Sequence, residues 1–352
     1  MIRYGIYLHE IFYAHKPWYT HPENPSRLDK IVKALRRYGF LRDDLILRPN
    51  SKYLDIKYAY EIHSKEYVNY IKNICRLDRY MIDGDTYVVS KTFDAALTVL
   101  ASIADAVDKV VHKSIDLAII LGRPPGHHAG FNGTAMGAPT LGFCIFNGSA
   151  LASKLLSKYG YVLHIDFDLH HGNGTQDILY RNPHVVHIDI HQDPRTIYPG
   201  TGFPWDCGEE DALGTKVNIL MPPGSGDDAY DIVIDWIFKY IDATNFRPKY
   251  LVYSAGFDAY DGDGLGFIKI SSSTYHKLAY KLVNELDIDG VIVVLEGGYN
   301  IGLERGAPAF IAGLLSLDDP VKDDVRECSE AVKSRIRRML REVEEYVLVR
   351  KF

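Results

Sequence analysis

Residues 165–177 read Ile-Asp-Phe-Asp-Leu-His-His-Gly-Asn-Gly-Thr-Gln-Asp, so Asp166, Asp168 and His170 alternate with Ile165, Phe167 and Leu169. Carboxylate oxygens and imidazole nitrogens are ligands that zinc accepts, and burying them together without a cation is costly. In an extended segment every second residue shares a face, and the spacing predicts that Asp166, Asp168 and His170 project together. A lone Asp-x-Asp is more often a solvated strand end. Here four more polar clusters follow apolar runs: Arg123 to His128, His191-Gln192, Gly256 to Asp258, and Glu296 to Asn300.

A catalytic zinc takes three protein ligands and keeps one position open. Asp258 is the best third ligand, whereas Asp261 and Asp263, set among glycines, read as local Asx turns. His127 and His128 follow Pro124-Pro125-Gly126, a rigid turn, and beside a metal site they are candidates for general acid and base. Asp166 and Asn173 are available to set their tautomers. Gly297 and Gly298 let backbone approach a ligand, which makes the following Tyr299 a candidate hydroxyl donor.

Elements that end together must bring these clusters to one place. Apolar runs at 117–122, 161–167, 185–190, 216–221, 250–254 and 291–295 predict strands, and helical spacing occupies 91–111, 146–159, 228–241 and 273–286. The alternation predicts an α/β fold with a mostly parallel central sheet and helices on both faces. Ligands of such sheets bind beyond the carboxyl ends of the strands, which is where the clusters fall. No internal repeat or Pro/Ser-rich linker interrupts the pattern, so one domain is expected over 1–352. Its C-terminal helix, over 325–347, packs on the domain or supports a subunit contact in an oligomer.

Composition excludes several classes. The cysteines, Cys75, Cys144, Cys207 and Cys328, show no C-x-x-C spacing, which argues against a disulfide framework and a thiolate zinc site. No signal-peptide pattern opens the chain and no apolar run approaches the roughly 20 residues of a membrane span. A cytoplasmic protein is expected. The net charge of -6 disfavours direct nucleic-acid binding and favours cationic partners.

Together these motifs resemble the zinc-dependent histone deacetylase family, in particular its class II-like and prokaryotic branch of acetylpolyamine amidohydrolases and acetoin-utilisation proteins. The likeness runs from His21-Pro-Glu-Asn-Pro-Ser-Arg-Leu28 to Asn300 and implies an arginase-like α/β fold. It implies one zinc held by Asp168, His170 and Asp258, His127 paired with Asp166, His128 paired with Asn173, and Tyr299 supplying a hydroxyl. Phe143 and Tyr198 match the two aromatics that wall the acyl-lysine tunnel, within Gly142-Phe-Cys-Ile-Phe-Asn147 and Tyr198-Pro-Gly-Thr-Gly202. Gly142 and Gly297 belong to the same lining, Arg27 matches a basic residue of an inner channel, and Asp85 or Asp83 matches a rim carboxylate. Asn173 replaces the Asp of many members. Asp189 replaces a Ser that often lies at a structural potassium site, where backbone carbonyls around Asp166, Asp168 and His170 are the remaining ligands.

The implied reaction is hydrolysis of an N-acetyl or other N-acyl amide, with acetylated lysine in proteins, acetylated polyamines or other small amides as substrates. A binuclear manganese ureohydrolase would require a second Asp two residues after Asp258, where this chain has Tyr260. A non-catalytic acyl-lysine binder would have lost a ligand, His128 or Tyr299, and all are present.

Overall fold

The computed structural model describes residues 2–348. Eight strands form one sheet: β1 (Tyr4–Tyr7), β2 (Ile46–Leu47), β3 (Leu117–Ile120), β4 (Val162–Asp166), β5 (Val185–Gln192), β6 (Lys216–Met221), β7 (Tyr250–Ala255) and β8 (Gly290–Leu295). The order is β2-β1-β3-β8-β7-β4-β5-β6, and every pairing within it is parallel. All carboxyl ends therefore open on one edge. The last strand, β8, lies in the middle, between β3 and β7. A separate antiparallel pair, Tyr80–Met81 with Tyr87–Val88, stands outside the sheet.

Burial along β3 to β8 is continuous rather than alternating, because helices cover the sheet. Among the described residues the helices of seven residues or more are α1 (Ser26–Arg37), α2 (Lys65–Ile74), α3 (Thr92–Val111), α4 (Gly148–Leu156), α5 (Asn173–Leu179), α6 (Asp227–Thr244), α7 (Ser272–Glu285), α8 (Ile301–Leu314) and α9 (Glu330–Val347). In one group α3 packs on α4, and in the other α8 packs on α7 and α1 while α6 meets α7 and α9. Among the described residues no helix is long and apolar enough to cross a membrane.

Strands β1 and β2 and helices α1, α2, α5 and α8 lie outside the elements expected from the sequence. Helix α8 buries Leu303, Ala307, Phe310 and Ile311 and nearly every residue between, so it has no polar face to give a period. Helix α9 starts at Glu330 and not at 325. Ser329 caps it, while the preceding backbone is pinned to the start of α6, with Arg326 N donating to Asp227 Oδ2 at 2.7 Å and Asp227 N to Arg326 O at 2.7 Å. Asn147 likewise caps α4, accepting from Ala150 N at 2.8 Å, and holds that helix to a later start than the apolar pattern suggests.

His63 ties the segments on either side of this cap. Its Nδ1 donates to Gly130 O at 2.7 Å and its Nε2 accepts from Asn147 N at 3.0 Å. Burial pushes its pKa from 6.5 to about 4 against the opposing pull of the Gly130 carbonyl. The folded protein thus binds fewer protons at this residue than the unfolded chain between those values, and the stability His63 permits declines as pH falls through that window. Chemical denaturation at about pH 7 and about pH 5 should show His63→Asn less stable at the higher pH but with an acid slope shallower by about 2 kcal/mol across the interval.

Candidate active site

The ends of β3, β4, β7 and β8 meet at the carboxyl edge of the sheet. After β3, Gly126 passes so close to the chain that a Cβ there would lie 2.3 Å from Phe146 O. Gly126 N and His127 N both donate to Glu296 Oε2, at 2.7 and 3.1 Å, and Ser149 Oγ donates to Glu296 Oε1 at 2.7 Å. Glu296, read from the sequence only as the start of a polar cluster, thereby fixes the His127-His128 backbone.

Strand β4 stops at Asp166, and residues 168–170 bend rather than continue extended. The expectation of a shared strand face is therefore wrong in mechanism. Asp166 turns to His127, while Asp168 and His170 converge on Asp258 because backbone N–H groups fold back onto the carboxylates. Asp168 N donates to Asp166 Oδ1 at 3.1 Å, His170 N to Asp168 Oδ1 at 2.9 Å, and Leu169 N to Asp258 Oδ1 at 3.0 Å.

His170 Nδ1 lies 3.2 Å from Asp168 Oδ1 and 3.1 Å from Asp258 Oδ2. Burial opposes charge on this imidazole, but the two carboxylates raise its pKa to about 9. Gly297 N donates to the other Asp168 oxygen at 2.8 Å. Asp258 Oδ2 is buried and accepts no well-formed hydrogen bond. Three oriented ligands and one unsatisfied oxygen fit a divalent cation, with a donor set of zinc type. Among the described residues two other clusters have metal-ligand composition: in one Glu296 is engaged as above, and in the other His164 is held by Ser153 Oγ at 2.8 Å and Ser254 Oγ at 2.9 Å, while both ring nitrogens of the neighbouring His187 are buried without a hydrogen-bond partner.

His127 and His128 stack loosely beside this triad, ring centroids 4.0 Å apart. His127 Nδ1 meets Asp166 Oδ2 at 3.1 Å, and its Nε2 lies 3.8 Å from Asp168 Oδ2. Burial disfavours its charge, yet Asp168 and Asp166 hold its pKa well above the ordinary value. His128 is the opposite case. Burial, then the neighbouring His127 and His170, push its pKa well below the ordinary value. Its Nδ1 meets Asn173 Oδ1 at 2.7 Å, and the Asn173 amide is oriented by donating from Nδ2 to Ala135 O at 2.9 Å. Nδ1 is therefore the protonated nitrogen, and Nε2 keeps its lone pair.

Aromatic rings line the approach. Tyr198 meets the His128 ring edge-on at 5.0 Å and donates its hydroxyl to Thr140 O at 2.9 Å. Phe143 meets Tyr299 at 6.1 Å and sits at φ 72°, a left-handed conformation rare for an aromatic residue. Gly142 has no room for a side chain, since a Cβ would lie 2.5 Å from His128 Cδ2. Burial holds the Tyr299 phenol well above its ordinary pKa, keeping it a donor.

Four further residues named from the sequence are engaged within the protein. Asp85 accepts from Thr86 Oγ1 at 2.8 Å and Thr140 Oγ1 at 2.6 Å, and Asp83 accepts backbone N–H groups of Asp85, Thr86 and Leu141. Both carboxylates brace the Phe143 and Tyr198 segments. Arg27 is buried behind Tyr299, its Cζ 4.7 Å from the ring centroid, donating from Nε to Gly298 O at 2.6 Å, from Nη2 to Glu296 O and from Nη1 to Glu23 Oε1 at 3.2 Å. Asp189 accepts from Gly172 N at 2.8 Å and meets His191 Nδ1 at 2.6 Å, so its carboxylate is satisfied without a potassium ion.

The sequence profile described as the histone deacetylase domain matches residues 21–314. The chain belongs to the histone deacetylase family. An uncharacterized protein of Methanocaldococcus jannaschii is 42% identical over 95% of both chains. A probable deacetylase of Archaeoglobus fulgidus is 35% identical, covering 89% of this chain and 85% of its own. The crystal structure of the HDA15 HD domain superimposes with a TM-score of 0.85 at 29% identity, covering 98% of this chain and 95% of the other. That of acetylpolyamine aminohydrolase from Burkholderia pseudomallei gives 0.77 at 27% identity, covering 89% and 99%. The shared fold is the eight-stranded parallel sheet with its surrounding helices.

In this deacetylase-family chain a Cβ on Gly297 would lie 2.4 Å from Asp168 Oδ2 and 2.7 Å from Asp258 Oδ2. Gly297→Ala should displace both carboxylates. Zinc titration by calorimetry should show binding weakened by at least about tenfold while the circular dichroism spectrum is retained.

Proposed function

We propose that this chain hydrolyses N-acetyl amides with one zinc ion held by Asp168, His170 and Asp258, and that its substrates are acetylated lysines of proteins. The observation that carries the reading is the buried, unsatisfied Asp258 Oδ2 within a triad that faces two histidines of opposite electrostatic character. A bound zinc would act as a Lewis acid toward the acyl carbonyl and activate water.

The protein groups then divide the proton work. His128 Nε2 accepts a proton from the attacking water and returns it to the departing amine. His127, kept cationic by Asp166 and Asp168, stabilises negative charge without exchanging a proton. Tyr299 donates its hydroxyl to the oxygen that becomes negative in the transition state. Phe143 and Tyr198 confine the acyl-bearing chain and exclude solvent. The described residues act as one catalytic unit, and a cytoplasmic location completes the reading.

A second substrate class, acetylated polyamines, is favoured by the likeness to the Burkholderia pseudomallei acetylpolyamine aminohydrolase over nearly all of that chain. Purified protein should be assayed against acetyl-lysine peptides and acetylated polyamines side by side, before and after chelation and zinc restoration. Release of acetate from neither class by the zinc-loaded protein rejects the proposal, and preference for polyamines moves it to the second class.

The division of roles is tested by alanine variants with intact metal content. His128→Ala should lower kcat/KM more than His127→Ala, by roughly tenfold, since it removes the only neutral base of the pair. The reverse order exchanges the two assignments.

A further inference from the structure

The loop that carries Tyr299 is held from outside the site. Residues 296–302 leave β8 and enter α8, and their backbone polar groups are gripped on two sides. On the carbonyl side, Arg27 binds Glu296 O and Gly298 O, and Lys30 Nζ donates to Tyr299 O at 2.7 Å. On the N–H side a single carboxylate takes three donors. Tyr299 N donates to Asp263 Oδ2 at 2.8 Å, and Asn300 N and Gly302 N donate to Asp263 Oδ1 at 2.8 and 2.9 Å. Asn300 Nδ2 adds a contact to the Asp263 carbonyl at 3.2 Å.

Asp263 is 1% exposed and lies in the loop that begins with the proposed ligand Asp258. A carboxylate this buried is tolerated because three N–H groups at the start of α8 point at it, where the helix dipole favours negative charge. Part of this arrangement is a helix cap. Asn300, the N-cap residue of α8, makes no side-chain cap of its own, and Asp263 supplies the missing acceptor from another loop. The bond to Tyr299 N goes beyond capping, because that N–H precedes the helix and belongs to the residue whose hydroxyl is the proposed donor.

We propose that Asp263 is a positioning residue for Tyr299: by holding the 299–302 N–H groups it fixes the tyrosine loop relative to the Asp258 loop, and so places the phenol hydroxyl against the metal triad. This rests on the proposed role of Tyr299 as oxyanion donor. A cap alone would change stability and leave the tyrosine's contribution to catalysis intact.

A double-mutant cycle separates the two. Asp263→Asn, Tyr299→Phe and the double variant are compared in kcat, KM, bound zinc and thermal midpoint. Asp263→Asn should lower kcat by roughly 10- to 100-fold with KM and zinc content near those of the parent, while adding less than about twofold in the Tyr299→Phe background. Equal fold-losses in both backgrounds would overturn the proposal and leave Asp263 a structural cap. Tyr299→Phe with unchanged kcat would overturn the hydroxyl's role first, and with it this inference. Tyr299→Phe that loses activity, beside Asp263→Asn that keeps it, would overturn the inference alone. If Asp263→Asn does not fold, Asp263→Glu, which keeps both oxygens but displaces them, serves in the same cycle with the same outcomes.

Discussion

Asp168 and Asp258 are carboxylates almost wholly withdrawn from water, with one imidazole between them. Charge so placed is tolerated only where every oxygen meets a donor or a cation, and much of the surrounding architecture answers that requirement. The amides of Leu169, His170 and Gly297 turn toward the two groups. Asp166, a third buried carboxylate two residues away, is matched by His127. Gly256 and Gly297 lie so close to Asp168 that no side chain would fit at either position. One oxygen is left over, Asp258 Oδ2, and it lies within the triad.

Behind this layer lies a second buried ionic assembly. Glu23 is wholly buried with Arg123, whose Nη2 donates to Oε2 at 2.7 Å, and His15 lies 3.3 Å away. Burial alone would neutralise Glu23, but Arg123 and His15 hold its carboxyl well below the usual carboxylate range. Arg27 links this assembly to the site, reaching Glu23 with one nitrogen and the tyrosine loop with the others. The segment around His21 to Leu28, far from Asp168, His170 and Asp258 in sequence, is in this way mechanically part of the same site.

The central strands were legible in the sequence because residue type carries them, continuous Val, Ile and Leu for strands buried on two faces, and the Asp and His at their ends marked the candidate ligands. The geometry bringing Asp168 and His170 together was not, since alternation in sequence suggested an extended strand where the chain in fact bends. Asp263 was read as a turn residue because its neighbours are glycines, and nothing local marks that its acceptors serve a loop 36 positions later. Asp85 shows the same limit, since its threonine partners are separated by more than fifty residues. Helix α8 was missed for the opposite reason, being apolar nearly all round, with charge only at Glu304 and Arg305. What escaped was pairing across the chain.

The central place of β8 carries a consequence for how the molecule comes into being. Residues 290–295 are the last strand of the sheet in chain order, yet they separate β3 from β7. Before they insert, β3 and β7 each expose an unpaired edge, and the histidine turn after β3 lies apart from the ligands after β4 and β7. Glu296, which holds the His127 backbone, and Gly297, which orients Asp168, arrive with that same strand. During synthesis, then, the proposed ligand side chains emerge long before they can converge, and the proposed site is completed only in the closing step of folding. A truncated or stalled chain would carry Asp168, His170 and Asp258 and still not bring them together.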